Sequence, residues 1–228
     1  MIINWGDAPF KAFITVTYPN GTCTVTGNGQ SYTHTGGGTY TFTVKKKGTY
    51  TVKATDGAST VSPASHSVSI SAGNETKSVS FSYTTTFITS SGAANVSFAT
   101  STTAGGTLDA KTSSGAYYLK SNISSSVGSE GFYRYTTNKY NLTGRKTIYF
   151  TVKVGSQYQT GLSVYVGTSP TTLTASKGAG GPTSYTTLSL DVSKLNGMHH
   201  IGFYISSWRG SNWETHDTTA YLQNVYMV

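Results

Sequence analysis

Three groups of side chains have types that could do chemistry. They are the carboxylates Asp109, Glu130, Asp191, Glu214 and Asp217, the pair His199-His200, and the stretch SSWRGSNWETHD at residues 206–217. Glycoside hydrolysis needs two carboxylates facing one bond, roughly 5–9 Å apart. These carboxylates are scattered, and only Glu214 and Asp217 are close in sequence; both read as solvated loop charges. Asp191 reads as a framework position ahead of VSKL. His199 and His200 are adjacent on an expected strand, so they point to opposite faces and cannot easily share a metal. No G-x-S-x-G nucleophile turn occurs. KGAGGPTS (residues 177–184) reads as a flexible turn, not as a phosphate cradle. The chain is therefore expected not to be an enzyme.

Binding chemistry has better material. The 206–217 stretch holds two of the three tryptophans. Flat aromatic rings stack against the apolar faces of pyranoses, and neighbouring polar groups fix orientation. On the strand that starts near His200, alternation sends Ile201, Phe203 and Ile205 inward. It sends His200, Gly202, Tyr204 and Trp208 to the other face. Tyr149 and Tyr165 are outward positions on other strands. If those strands are neighbours in one sheet, an aromatic face results, with Arg209, Asn212, Trp213 and Glu214 as its rim. The candidate ligand-binding set is Trp208, Trp213, Tyr204, Arg209, Tyr149 and Tyr165. In the competing reading the tryptophans plug the end of the fold and the tyrosines are ordinary outward residues. Trp5, in NWGDAPF, belongs to an N-terminal arm (residues 1–9) that docks on a neighbour or folds back.

The elements that must position these residues are strands. Charged residues are only 11% of the 228, against 13% aromatic residues with 17 Tyr. Thr and Tyr favour strands, and this aromatic content argues against disorder. Alternation places Ala12, Ile14, Val16 and Tyr18 on one face, and likewise Tyr40, Phe42 and Val44, then Tyr50, Val52 and Ala54. KKKG (residues 45–48) reads as a hairpin end between the last two, with lysines that guard a strand edge. Val68 and Ile70 read as pairing with Val79, Phe81 and Tyr83 across SAGNETK. After a weakly patterned stretch at 85–95, read as a linker, further alternating runs bury Ile148, Phe150, Val152 and Val154; Leu162, Val164 and Val166; Leu188, Leu190 and Val192; and Ile201, Phe203 and Ile205. A bulge is expected near Gln223-Asn224, and Val192 to Leu195 offers at most one short turn. The expected fold class is all-β: an Ig-like β-sandwich over 10–84, then a jelly-roll β-sandwich over 96–228.

The formal net charge of +8 lacks the Lys/Arg clustering of nucleic-acid binders, so no nucleic-acid partner is expected. No apolar run approaches a membrane span. Cys23, the single cysteine, forms no intramolecular disulfide and reads as a small buried side chain. MIINWGDAPF has neither a basic nor an apolar leader region, so no signal peptide is expected.

Two resemblances follow from these residues. ITVTYPNGTCTVT, GTYTFTVKKKGTYTVKATDG and SVSISAGNETKSVSFSY, spanning about 10–83, resemble Ig-like or carboxypeptidase-regulatory-like repeats of tail and other virion proteins of phages of gut Firmicutes. YNLTGRKTIYFTVKV (140–154), LSLDVSKLNGMHHIGFYI (188–205) and AYLQNVYMV (220–228) resemble jelly-roll modules similar to carbohydrate-binding modules. These are framework matches; Asn141 stands where such modules often carry Asp, and Met198-His199-His200 replaces an aromatic pair. The resemblances imply a noncatalytic tail-associated or decoration protein in a virion, made in the host cytoplasm. Its implied partners are other virion proteins, a cell-surface polysaccharide and further copies of itself as a homo-oligomer. A bacterial carbohydrate-binding accessory module is the alternative. No cofactor is implied; a structural calcium, for which Asp109 and Asp217 are available, stays open.

Overall fold

Alternating Thr, Val, Ile and Tyr keep this chain extended, and the computed structural model is all-β among the residues it describes (9–57, 59–155, 161–210 and 215–228). Trp5, Asn212, Trp213 and Glu214 lie outside the described residues. The chain divides into two units, Met1–Thr84 and Thr85–Val228. No helix among the described residues is long and apolar enough to cross a membrane.

The first unit contains β1 (Ala12–Tyr18), β2 (Thr22–Gly27), β3 (Gln30–Thr35), β4 (Gly38–Val44), β5 (Gly48–Thr55), β6 (Thr60–Ser62), β7 (His66–Ile70), β8 (Thr76–Ser80) and the start of β9 (Ser82–Ile88). One sheet has the order β4-β1-β8, the other β3-β2-β5-β7. Both send their apolar residues into one core, which includes Ile14, Val16, Tyr18, Val25, Phe42, Tyr50, Val52, Val68 and Phe81. Cys23 lies in this core, where burial pushes its thiol up to about 11.

Two expected hairpins are absent. β4 pairs with β1 and β5 pairs with β2 and β7, so KKKG joins strands of different sheets. β7 and β8 likewise lie in different sheets. Alternation locates a strand but does not choose its partner, and long-range pairing through β1 chose here. A hairpin does join β2 to β3, turning through Asn28 (φ 54°) and Gly29 (φ 70°). Asn-Gly is the pair that best tolerates two successive positive φ values.

The second unit contains the end of β9, β10 (Phe98–Thr102), β11 (Thr107–Ser113), β12 (Ala116–Asn122), β13 (Ser129–Thr136), β14 (Tyr140–Asn141), β15 (Thr147–Val154), β16 (Leu162–Gly167), β17 (Ala175–Gly178), β18 (Thr186–Asp191), β19 (Met198–Arg209), β20 (Thr215–His216) and β21 (Thr219–Met227). Its sheets run β10-β13-β19-β16-β17 and β11-β12-β21-β15-β18. Phe132, Phe203, Ile201, Ile205 and Val164 from the first sheet meet Leu119, Phe150, Val152, Leu222 and Val225 from the second in one core. The 85–95 stretch is not a linker. Residues 85–88 pair with β21, Phe87 and Ile88 are fully buried, and Asn95 N–H donates to the Phe87 carbonyl. The short apolar pair Phe87-Ile88 supplies the burial that the surrounding Thr and Ser conceal. The β15–β21 pairing shifts register between Tyr149 and Thr151, close to Asn224 at φ 48°, so the expected irregularity near Gln223-Asn224 is present.

Candidate functional site

Alternation along β19 puts Ile201, Phe203 and Ile205 in the core and His200, Gly202, Tyr204, Ser206 and Trp208 on the outer face of its sheet. Register then assembles that face. Tyr204 is directly opposite Tyr133 of β13 and Ser163 of β16. Gly202 is opposite Tyr135 and Tyr165. Trp208 is opposite Ser129 and His216.

The rings touch one another. Tyr133 and Tyr204 have centroids 5.0 Å apart, and Tyr133 and Tyr165 meet edge-on at 6.1 Å. Tyr135 meets His200 edge-on at 5.4 Å. Two glycines let rings lie along the sheet. A Cβ on Gly131 would stand 2.9 Å from Tyr204 Cε2, and a Cβ on Gly202 2.5 Å from the Tyr165 ring. Such distances are closer than van der Waals contact, so only a glycine admits the ring at either place. Burial, then the neighbouring Tyr133, pushes the Tyr204 phenol above its ordinary value. Tyr204 therefore keeps its O–H, as donor and acceptor, throughout the physiological range.

The sequence-derived set separates on this frame. Tyr204 and Trp208 share the face, and Trp208 is 49% exposed while stacked on His216 at 3.8 Å. Trp208 is thus not a plug. Tyr165 is on the same face by register but has no exposed surface, and its hydroxyl donates to the Pro170 carbonyl. It supports the face from beneath the turn that follows β16. Tyr149 sits on β15, in the other sheet, where it stacks on Tyr226 at 5.2 Å. It cannot share a face with Tyr204, because its strand is not a neighbour of β19. Arg209 alternates away from Trp208, and its guanidinium donates to the Ser124 carbonyl at 3.4 Å, so it braces a loop. Tyr133 and Tyr135 complete the face and were missed. Their signal was the alternation in FYRYT beside the apolar Phe132.

The described carboxylates of this unit are engaged locally. Glu130 is buried and accepts N–H from Ala104 (3.2 Å), Gly106 (2.7 Å) and Ser124 (2.9 Å). Asp217 accepts from Ile123 N–H at 3.2 Å, and Asp109 from the Asn122 amide at 3.4 Å. Asp191 accepts from Ser193, which holds its carboxyl below the ordinary value. His199 Nδ1 donates to the Gly197 carbonyl at 3.2 Å and His200 Nδ1 to the Thr136 carbonyl at 2.7 Å. A carbonyl can only accept, so each Nδ1 carries the hydrogen. Among the described residues no group of three or more His, Cys, Asp or Glu is placed to hold a metal ion.

No family model matches the chain, and no curated protein matches it. Among solved structures, the chain is similar to one described as a structural basis for the promiscuous specificity of carbohydrate-binding modules from the β-sandwich superfamily. That match has 16% identity, covers 97% of this chain and 98% of the other, and has a TM-score of 0.45. It is also similar to a family 29 carbohydrate-binding module from Piromyces equi, at 13% identity, covering 63% of this chain and 88% of that one, with a TM-score of 0.39.

Proposed function

We propose that the second unit is a noncatalytic glycan-binding module, and that sugar binds on the outer face of the β10-β13-β19-β16-β17 sheet. One observation carries this reading. Tyr133, Tyr135 and Tyr204 lie together on that face, Tyr204 rests along the sheet over Gly131, and the row along β19 ends on the exposed Trp208. Flat rings beside Ser101, Ser163 and Ser206, which share this face by register, supply the stacking and hydroxyl contacts that a pyranose takes. The local engagement of the described carboxylates supports binding without hydrolysis.

The virion setting belongs to the resemblance of residues 10–83. A tail-associated or decoration protein carrying this face would use it for adhesion to a host-surface glycan, with avidity raised by homo-oligomerisation. A bacterial carbohydrate-binding accessory module would use the same face.

The test is an array of neutral polysaccharides probed with the full chain. Binding is expected, and Tyr204→Ala or Trp208→Ala is expected to weaken it by roughly 5–30-fold, the usual cost of truncating an aromatic anchor. Silence on the array, or binding indifferent to both substitutions, would refute the assignment.

A further inference from the structure

The outer face of the other sheet carries a different pattern. Lys111 is directly opposite Tyr118, Tyr118 opposite Tyr221, and Tyr221 opposite Lys153. One straight row thus crosses β11, β12, β21 and β15 in the order Lys-Tyr-Tyr-Lys. Continuing the β15–β18 register brings Tyr185 beside Lys153, and the Lys153 ammonium lies 5.0 Å from the Tyr185 ring.

The rings hold the lysines. Lys153 Nζ is 4.8 Å from the Tyr221 centroid and Lys111 Nζ is 5.5 Å from that of Tyr118. Tyr118 and Tyr221 meet at 5.5 Å. Among the described residues no ion pair links Lys111, Lys120 or Lys153 to a carboxylate, and the carboxylate beside this row is Asp109, directly opposite Lys120 on β12. Lys111, Lys120 and Lys153 outnumber Asp109 there, so this stretch of the face is net positive toward an outside anion. Lys111 and Lys153 are three strand spacings apart, roughly 14 Å.

The geometry points to a second binding face, for an acidic polysaccharide carrying carboxylate or sulfate groups. It goes beyond the neutral-sugar reading of the first face and does not rest on it. Charge complementarity chooses the polyanion. The ring arrangement argues against a single-stranded nucleic acid. Base stacking needs open aromatic faces, and here ammonium groups lie over the tyrosines. Among the described residues the face also carries no arginine, the side chain that grips phosphate bidentately. Thr151, Thr187 and Gln223 share the face beside the row and offer hydroxyl and amide groups to sugar hydroxyls.

The test is affinity electrophoresis of the full chain in gels containing polygalacturonate (carboxylate) or dextran sulfate (sulfate). Retardation is expected in at least one gel and is expected to fall steeply between about 50 and about 300 mM salt, as screening passes from weak to strong. Lys111→Gln with Lys153→Gln is expected to weaken it by about tenfold or more, while Lys111→Arg with Lys153→Arg retains it. Lys46→Gln with Lys47→Gln removes the same charge from the other unit and is expected to change little, as is Tyr204→Ala. The proposal is overturned by no retardation in either gel, by equal loss in the Lys46/Lys47 control, or by tighter binding of single-stranded oligo(dT) through the same two lysines. Because Tyr204→Ala disables only the first face, failure of one face does not imply failure of the other.

Discussion

Gly131 decides how Tyr204 presents itself. The phenol lies over a position where a Cβ would stand 2.9 Å from Cε2 and 3.2 Å from the hydroxyl. Gly131→Ala would push the far end of a flexible side chain, which can swing outward at little cost in stability. The variant is expected to melt within a few degrees of the parent and to lose roughly tenfold in glycan affinity, read by titration on any polysaccharide the parent binds. At this scale the sequence was partly legible. Tyr204 and Trp208 follow from alternation on β19, because that strand is long and regularly patterned. The burial of Tyr165 does not, because it depends on Pro170 returning over the ring. The placement of Arg209 on the Ser124 carbonyl is equally non-local.

Among elements, Glu130 ties the loops after β10 and after β12 onto β13. Glu130→Gln keeps the shape but turns one acceptor oxygen into a donor that faces backbone N–H groups. About 1–3 kcal/mol of destabilisation is expected, the cost of a buried donor left unmatched, measured by denaturant titration. In the first unit, Lys77 first, then the Ser71 and Ala72 amides, hold the Glu75 carboxyl down to about 2, well below its ordinary value. A depressed carboxylate contributes stability above its unfolded value and loses it as the pH falls through the folded one. Thermal stability of the parent should therefore drop between about pH 4.5 and 2, and Glu75→Gln should flatten that drop. Strand positions were legible from alternation, since Ile14, Val16, Phe42, Tyr50 and Val52 all point inward as patterned. Strand partners were not. The β4–β5 connection has a hairpin's residues, but the Val44–Ala12 pairing carries β4 into another sheet.

At the level of the molecule, each unit closes around its own core, and the second offers two outer faces of different chemistry. One is tyrosine and tryptophan over glycine; the other is lysine over tyrosine. The all-β class follows from composition and period. The division of aromatic residues between two sheets does not, because sheet membership is fixed by pairings between residues as distant as Tyr118 and Tyr221. Tyr149 shows the consequence: its outward position is correct, and its sheet is not that of Tyr204.

The most direct test compares Tyr204→Ala with Tyr149→Ala in isothermal titration of one neutral polysaccharide bound by the parent, with melting curves alongside. These two tyrosines stand on the outer faces of different sheets. Roughly tenfold or greater loss for Tyr204→Ala, with Tyr149→Ala unchanged, is the result this account predicts. Loss on Tyr149→Ala with Tyr204→Ala unaffected would contradict it.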